Sequence, residues 1–236
     1  MKSCLLALGP ASEGSRPGWQ DGGVTQVWTV VVPVKRLGVA KSRLRGALPG
    51  VPHAELALAL AADTVGAVLA CPAVAEVLVV TDDPRVAAEA AATGARVLPD
   101  RPAAGLNAAL RHGASAAGTG WVAGLTADLP ALRPVELAAA LRAAETGETR
   151  RYVPDAPGDG TALLAAPPGV PLDPRFGPGS AAAHAASGAL ALLGTWPSLR
   201  RDVDTADDLA AAARLGLGPR TAALRAAAAP AGGRPV

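Results

Sequence analysis

The sequence predicts an α/β fold, a mixed and mostly parallel sheet with helices on both faces. Three observations carry that prediction. Apolar β-branched runs such as Val27-Trp28-Thr29-Val30-Val31-Val32 recur along the chain, too continuous for strands with one solvated face. Ala/Leu-rich stretches with helical spacing lie between them, and strands alternating with helices imply parallel pairing. Finally, 236 residues, 50% hydrophobic and 18% charged, suffice to bury a real core in one domain.

The elements follow in order. The first strand is Val27 to Val34, followed by a basic loop from Lys35 to Arg45. A helix spans about Pro52 to Ala70, with apolar residues at Leu56, Leu60, Val65, Val68 and Leu69. Val77 to Thr81 is a second buried strand. Asp82-Asp83-Pro84 starts a helix running to Ala92, closed by Gly94. Ala95 to Leu98 is a short strand, Leu106 to Ala117 a helix, and Trp121 to Leu125 a strand. Pro134, suited to the first helical turn, opens a helix to Glu145. Strands near Tyr152 and from Thr161 to Ala165 come next, then a Pro/Gly-rich loop. A helix from Ser180 to Ser187, a strand from Leu190 to Leu193 and a helix from Ala206 to Leu215 complete the series. Residues 25–217 therefore read as the domain, with a disordered extension over 1–24 and a frayed tail over 218–236.

Composition excludes several function classes. A net charge of +2 supplies no broad basic face, which argues against nucleic acid as a partner. Cys4 and Cys71 make neither a disulfide framework nor a Cys-x-x-Cys metal site. The apolar run from Leu56 to Ala70 is interrupted by Asp63 and Gly66, so it reads as a packed helix and not a membrane span. The opening Met1-Lys2-Ser3-Cys4-Leu5-Leu6-Ala7-Leu8 is short for a signal peptide, and the expected setting is reducing cytoplasm.

In open sheets with parallel strands, ligands bind where loops leave the strands' carboxyl ends. After the first strand, Lys35, Arg36, Lys41 and Arg43 surround Gly38, a pattern suited to cradling a polyphosphate or simply to a solvated loop. It is not a P-loop, since Gly-x-x-x-x-Gly-Lys-Ser/Thr is absent. After the fourth strand, Asp128 is either a divalent-metal ligand or the acid of a local turn. Asp202 and Asp204 precede the last helix; Asp204 or Thr205 could serve only as its N-cap, or an acid here could join Asp128 in a magnesium site. His184 has no second His or Cys nearby in sequence and is expected on the helix surface.

These stretches together resemble the guanylyltransferases that make the lactyl-diphospho or enolpyruvyl-diphospho guanosine precursor of the deazaflavin coenzyme F(420). The resemblance is carried by Val32-Pro33-Val34-Lys35-Arg36-Leu37, Ala40-Lys41-Ser42-Arg43-Leu44 and Gly105-Leu106-Asn107-Ala108-Ala109-Leu110. It continues through Asp128-Leu129-Pro130, Gly160-Thr161-Ala162-Leu163-Leu164, Asp173-Pro174-Arg175-Phe176-Gly177-Pro178-Gly179-Ser180 and Asp202-Val203-Asp204-Thr205. The Asp-x-Asp-Thr ending is common to many nucleotidyltransferases. The basic loop together with Asp-Pro-Arg-Phe-Gly is far more specific. Related enzymes carry Leu-x-x-Gly-x-Gly-x-Arg where this chain has Lys35-Arg36-Leu37-Gly38.

The resemblance implies the Rossmann-like, glycosyltransferase-A-like fold of nucleotide-diphospho-sugar transferases. It implies transfer of GMP from GTP to phosphoenolpyruvate or 2-phospho-L-lactate, with release of pyrophosphate and with Mg²⁺. Lys35, Lys41 and Arg43 would hold the triphosphate and serve catalysis, and Asp128 and Asp204 the metal, with Asp202 a third candidate. Asn107 would meet the guanine or ribose, or else only start its helix. Thr161, Gly177 and Ser180 would bind the small phosphorylated acid. Phosphoenolpyruvate is the expected acceptor, because the Ala/Arg-rich chain most resembles actinobacterial members. The implied partners are these two small molecules and a downstream enzyme of the deazaflavin pathway. Competing readings are a transferase acting on a sugar phosphate or another cofactor, and a binding module that has lost its chemistry.

Overall fold

A computed structural model describes residues 27–38 and 42–228. The extension expected over 1–24 and the side chain of Lys41 lie outside the described residues. Strands β1 (Trp28–Pro33), β2 (Val74–Val80), β3 (Arg96–Leu98) and β4 (Trp121–Leu125) alternate with helices α1 (His53–Leu69), α2 (Pro84–Ala92) and α3 (Leu106–Ala116). After α4 (Pro134–Ala144) come β5 (Arg151–Pro154), β6 (Thr161–Ala166), α5 (Ser180–Ala186) and β7 (Leu190–Ala191). The chain ends in α6 (Pro197–Arg200), α7 (Ala206–Leu215) and α8 (Pro219–Ala228).

The sheet order is β3-β2-β1-β4-β6-β5-β7. Pairings from β3 to β4 are parallel, whereas β6 runs antiparallel to both β4 and β5. The β-branched runs are buried on both faces. In β1, Trp28, Val30 and Val32 join one core while Val31 joins the other, and β2 divides Val77 and Val79 from Leu78 and Val80 in the same way. Helices α1, α2 and α4 cover the first face; α3 and α5 cover the second. Gly113 lets α3 lie close on β1, since a methyl group there would collide with Val31. That close packing fixes where α3 begins, at the sheet's carboxyl edge.

One expectation changes. Fraying was expected from residue 218, but Pro219–Ala228 is a helix docked on α1. Both carboxylate oxygens of the buried Asp63 accept from the first turn of α8, from the amides of Arg220 and Thr221 at 3.0 and 2.8 Å. The acid that interrupts α1's apolar run therefore satisfies two amides that helix geometry leaves without partners.

Candidate active site

A cleft of about 340 Å³ opens at the carboxyl ends of β1 and β4, within the range of small-ligand sites. Its lining includes Lys35, Leu37, Arg43, Leu106, Thr126, Asp128 and Asp204. The structure thus brings together four of the residues singled out from sequence, drawn from three separate segments.

Lys35 leaves the end of β1 and Arg43 lies in a 3-10 turn, Ser42–Leu44, anchored by the buried Leu44. Asp83 stabilises the start of this loop. One of its oxygens accepts from the Leu37 amide at 2.9 Å while the other caps α2 through Arg85 and Val86. Partial burial alone would raise the Asp83 pKa, but these amides and the Arg85 charge together hold it below the ordinary value.

Asp128 is positioned through its backbone surroundings. Its carbonyl accepts from the Val203 amide at 3.0 Å, tying the β4 loop to the segment that carries Asp204. The next amide, of Leu129, donates to the fully buried Thr64 hydroxyl at 2.9 Å. Thr64 in turn donates to the Leu60 carbonyl of α1. Asp204 sits just ahead of a capping box in which the Asp208 carboxylate accepts from the amides of Asp204 and Thr205 and from the Thr205 hydroxyl. Asp202 is half-buried and is not among the cleft-lining residues. Sequence reasoning missed Thr126, which lines the same cleft and whose buried Oγ1 has no hydrogen-bond partner among the described residues.

The residues assigned to the acceptor, Thr161, Gly177 and Ser180, are not among those lining this cleft. Thr161 opens β6, which pairs antiparallel with β4, so it lies at the same sheet edge as Thr126; the Thr126 amide donates to the Ala162 carbonyl. Gly177 is exposed with φ +139°, a conformation that suits glycine, and Ser180 is the buried first residue of α5. Asp159, from the β5–β6 turn, binds the start of α5 through the amides of Gly179 and Ala181. Asn107 does something other than wait for a base. Its amide oxygen accepts from the Phe176 amide at 2.8 Å and its nitrogen donates to the Phe176 carbonyl at 2.9 Å. That pairing ties the first turn of α3 to the Phe176 loop; the N-cap of the helix is Gly105, and no side chain caps it.

His184 corrects the surface assignment outright. It has no exposed surface and packs between Tyr152 and Phe176. Its Nδ1 lies 2.9 Å from Thr161 Oγ1, and its Nε2 accepts from the Arg175 amide at 2.9 Å. Burial above all, with the nearby charges of Arg150 and Arg175, lowers its pKa to about 4.

Among the described residues no helix is long and apolar enough to cross a membrane, and no group of three His, Cys, Asp or Glu side chains forms a metal cluster. The cleft lining includes two acids, Asp128 and Asp204, and two cations, Lys35 and Arg43.

Residues 35–201 match the family of MobA-like NTP transferase domains. A phosphoenolpyruvate guanylyltransferase of Salinispora arenicola is 80% identical over 90% of this chain and 100% of its own length. Another from Geodermatophilus obscurus is 59% identical over 86% of this chain and 96% of its own. A nucleotidyl transferase structure from Methanothermobacter thermautotroptrophicus superposes with a TM-score of 0.58 at 22% identity, covering 81% of this chain and 98% of that one. That structure shares the fold, the nucleotide-diphospho-sugar transferase architecture expected from sequence. With acids and cations set around one cleft, and with identity this high along nearly all of two relatives, the chain is a nucleotidyltransferase and belongs to the phosphoenolpyruvate guanylyltransferase family.

Proposed function

We propose that the cleft transfers GMP from GTP to phosphoenolpyruvate, releasing pyrophosphate and forming enolpyruvoyl-2-diphospho-5'-guanosine for coenzyme F(420) biosynthesis. A phosphate oxygen of phosphoenolpyruvate attacks the α-phosphorus of GTP. A new P–O–P linkage forms as the bond to the β-phosphate breaks, and the electron pair leaves on pyrophosphate. Such a displacement needs alignment and charge neutralisation more than covalent help. The observation that carries the reading is the convergence of Lys35, Arg43, Asp128 and Asp204 on one cleft.

Lys35 and Arg43 are exposed and suited to hold the triphosphate and stabilise charge gathering on pyrophosphate. Lys41, in the same loop of the sequence, is assigned to the same task. Asp128 and Asp204 fit magnesium, a hard ion commonly held by one or two carboxylates with phosphate oxygens and water completing its shell. Asp202, which does not line the cleft, is at most an outer contributor. When bound, magnesium would offset the negative charge of the phosphates brought together in the cleft. Thr161, Ser180 and the Gly177 amide hold the acceptor's carboxylate and phosphate, and Asn107 keeps the Phe176–Gly177 peptide in place for them.

Steady-state kinetics with GTP, magnesium and either phosphoenolpyruvate or 2-phospho-L-lactate, read by pyrophosphate release, tests the acceptor. A higher kcat/KM is expected with phosphoenolpyruvate; the reverse result hands the assignment to phospholactate. Faster transfer from ATP or CTP than from GTP would overturn the choice of nucleotide.

A further inference from the structure

His184 is buried beyond what packing asks of a histidine, and each of its ring nitrogens has a partner. The Arg175 backbone N–H can only donate, so Nε2, 2.9 Å away, must accept and carry no proton. A neutral imidazole then bears its hydrogen on Nδ1. The ring is neutral at working pH, because burial and the neighbouring Arg150 and Arg175 oppose a charge there. Nδ1–H faces Thr161 Oγ1 at 2.9 Å, with the Ser180 carbonyl as a neighbouring acceptor. Whichever of the two receives that proton, the Thr161 hydroxyl cannot donate to a nitrogen that already carries one. Its own hydrogen must go elsewhere; Thr161 opens β6, and α5, which begins at Ser180, carries the His184 that meets it.

We propose that His184 is a positioning residue for acceptor binding: its Nδ1–H fixes the Thr161 hydroxyl as a donor directed at the anionic groups of phosphoenolpyruvate. This rests on the reading of Thr161 as an acceptor-binding residue. The physical advantage is preorganisation. A free hydroxyl rotates between donating and accepting, whereas a carboxylate or phosphate offers acceptors alone. Removing the accepting option in advance spares the ordering cost at binding. The Arg175 amide that sets the tautomer belongs to the loop Asn107 clamps through Phe176, so loop, ring and hydroxyl are held as one unit.

The test is a double-mutant cycle on the intact chain with KM for phosphoenolpyruvate as readout. His184→Gln preserves an acceptor near the Nε2 position but removes the Nδ1 donor. Alone it is expected to raise KM for phosphoenolpyruvate about ten-fold, with much smaller changes in kcat and in KM for GTP. Thr161→Val is expected to raise the same KM, and adding His184→Gln to it to change KM no further. Full additivity would overturn the coupling while leaving Thr161 in its acceptor role. An unchanged KM in Thr161→Val would remove Thr161 from the pocket and the coupling with it. If His184→Gln does not fold, ¹⁵N spectra of the unaltered protein decide. The chain has 3 histidines, His53, His112 and His184, and His184 is expected as the Nδ1–H tautomer at neutral pH. An Nε2–H signature would overturn the proposal.

Discussion

Asp128 and Asp204 reach one cleft from loops tied together by the hydrogen bond from the Val203 amide to the Asp128 carbonyl. Asp128→Asn and Asp204→Asn are expected to lower kcat by roughly a hundred-fold or more, with circular dichroism and melting little changed. Asp207→Asn should matter much less, because Asp207 is exposed on α7 outside the cleft. Near-normal turnover of Asp128→Asn at limiting magnesium would take that acid out of the metal site. Lys35→Ala and Arg43→Ala should each lower kcat/KM for GTP about ten-fold, as one charge-assisted contact of ~1.5–3 kcal/mol is lost. Lys35, Arg43 and Asp128 were legible in sequence because they follow strands whose carboxyl ends share one edge, and Asp204 because it belongs to the Asp-x-Asp-Thr stretch just before a helix. Thr64, Asp83 and His184 were not. Their work is to hold those loops from residues distant in sequence, and a hydroxyl inside an apolar helix gives only a faint signal of it. For His184 the obstacle was local composition. Helix α5 is short and otherwise almost all alanine, so no periodicity marked an inner face.

Helix α8 shows the same limit one level up. Its sequence, PRTAALRAAA, has too few large apolar residues to define a face, and only Thr221 among its residues is fully buried. Docking depends on α1 supplying the buried carboxylate of Asp63, to which Gly218 approaches so closely that a side chain there would collide. An acid inside an apolar run was visible from sequence; its partner, on a segment read as frayed, was not. Asp63→Ala should leave the Arg220 and Thr221 amides without their acceptor. The expected cost is about 2 kcal/mol, the upper range for a lost helix cap. Hydrogen exchange is the direct measurement: amides of α8 should lose protection in the variant while those of β1 and β2 keep theirs. Uniform loss across the chain would mean that Asp63 supports α1 itself rather than the docking of α8. The central strands needed no such pairing to be found. Residues of β1 and β2 alternate between two cores, which requires apolar side chains at every position and leaves an unbroken run in the sequence.

Across the whole molecule the parallel half of the sheet was the more legible, since each βαβ unit repeats the same alternation. The antiparallel strand β6 and the edge strand β7 depend on pairings that periodicity does not encode, and β7 proved shorter than the Leu190 to Leu193 expected. Those later elements enclose His184, and through it they set how stability responds to acid. In the folded protein its pKa is about 4, against the ordinary 6.5, chiefly because burial disfavours the charged ring. Arg150 and Arg175 add to the depression, while Asp173 and the Ser180 carbonyl oppose it. Between those two values the unfolded chain binds a proton that the folded protein refuses. Stability contributed by the neutral ring is therefore complete above pH 6.5 and declines as pH falls toward 4, by about 3 kcal/mol in total. The carboxylates act lower. Asp173 is held down first by Arg150, which it meets at 2.7 Å, and Asp83 by the amides around it. Their contributions persist until pH drops below the ordinary 3.8. Urea unfolding between about pH 7 and pH 4 should therefore show a falling midpoint in the unaltered protein and a nearly level one in His184→Gln, which has nothing to titrate at that position. A level midpoint in both would mean that the buried ring accepts its proton as readily as an exposed one.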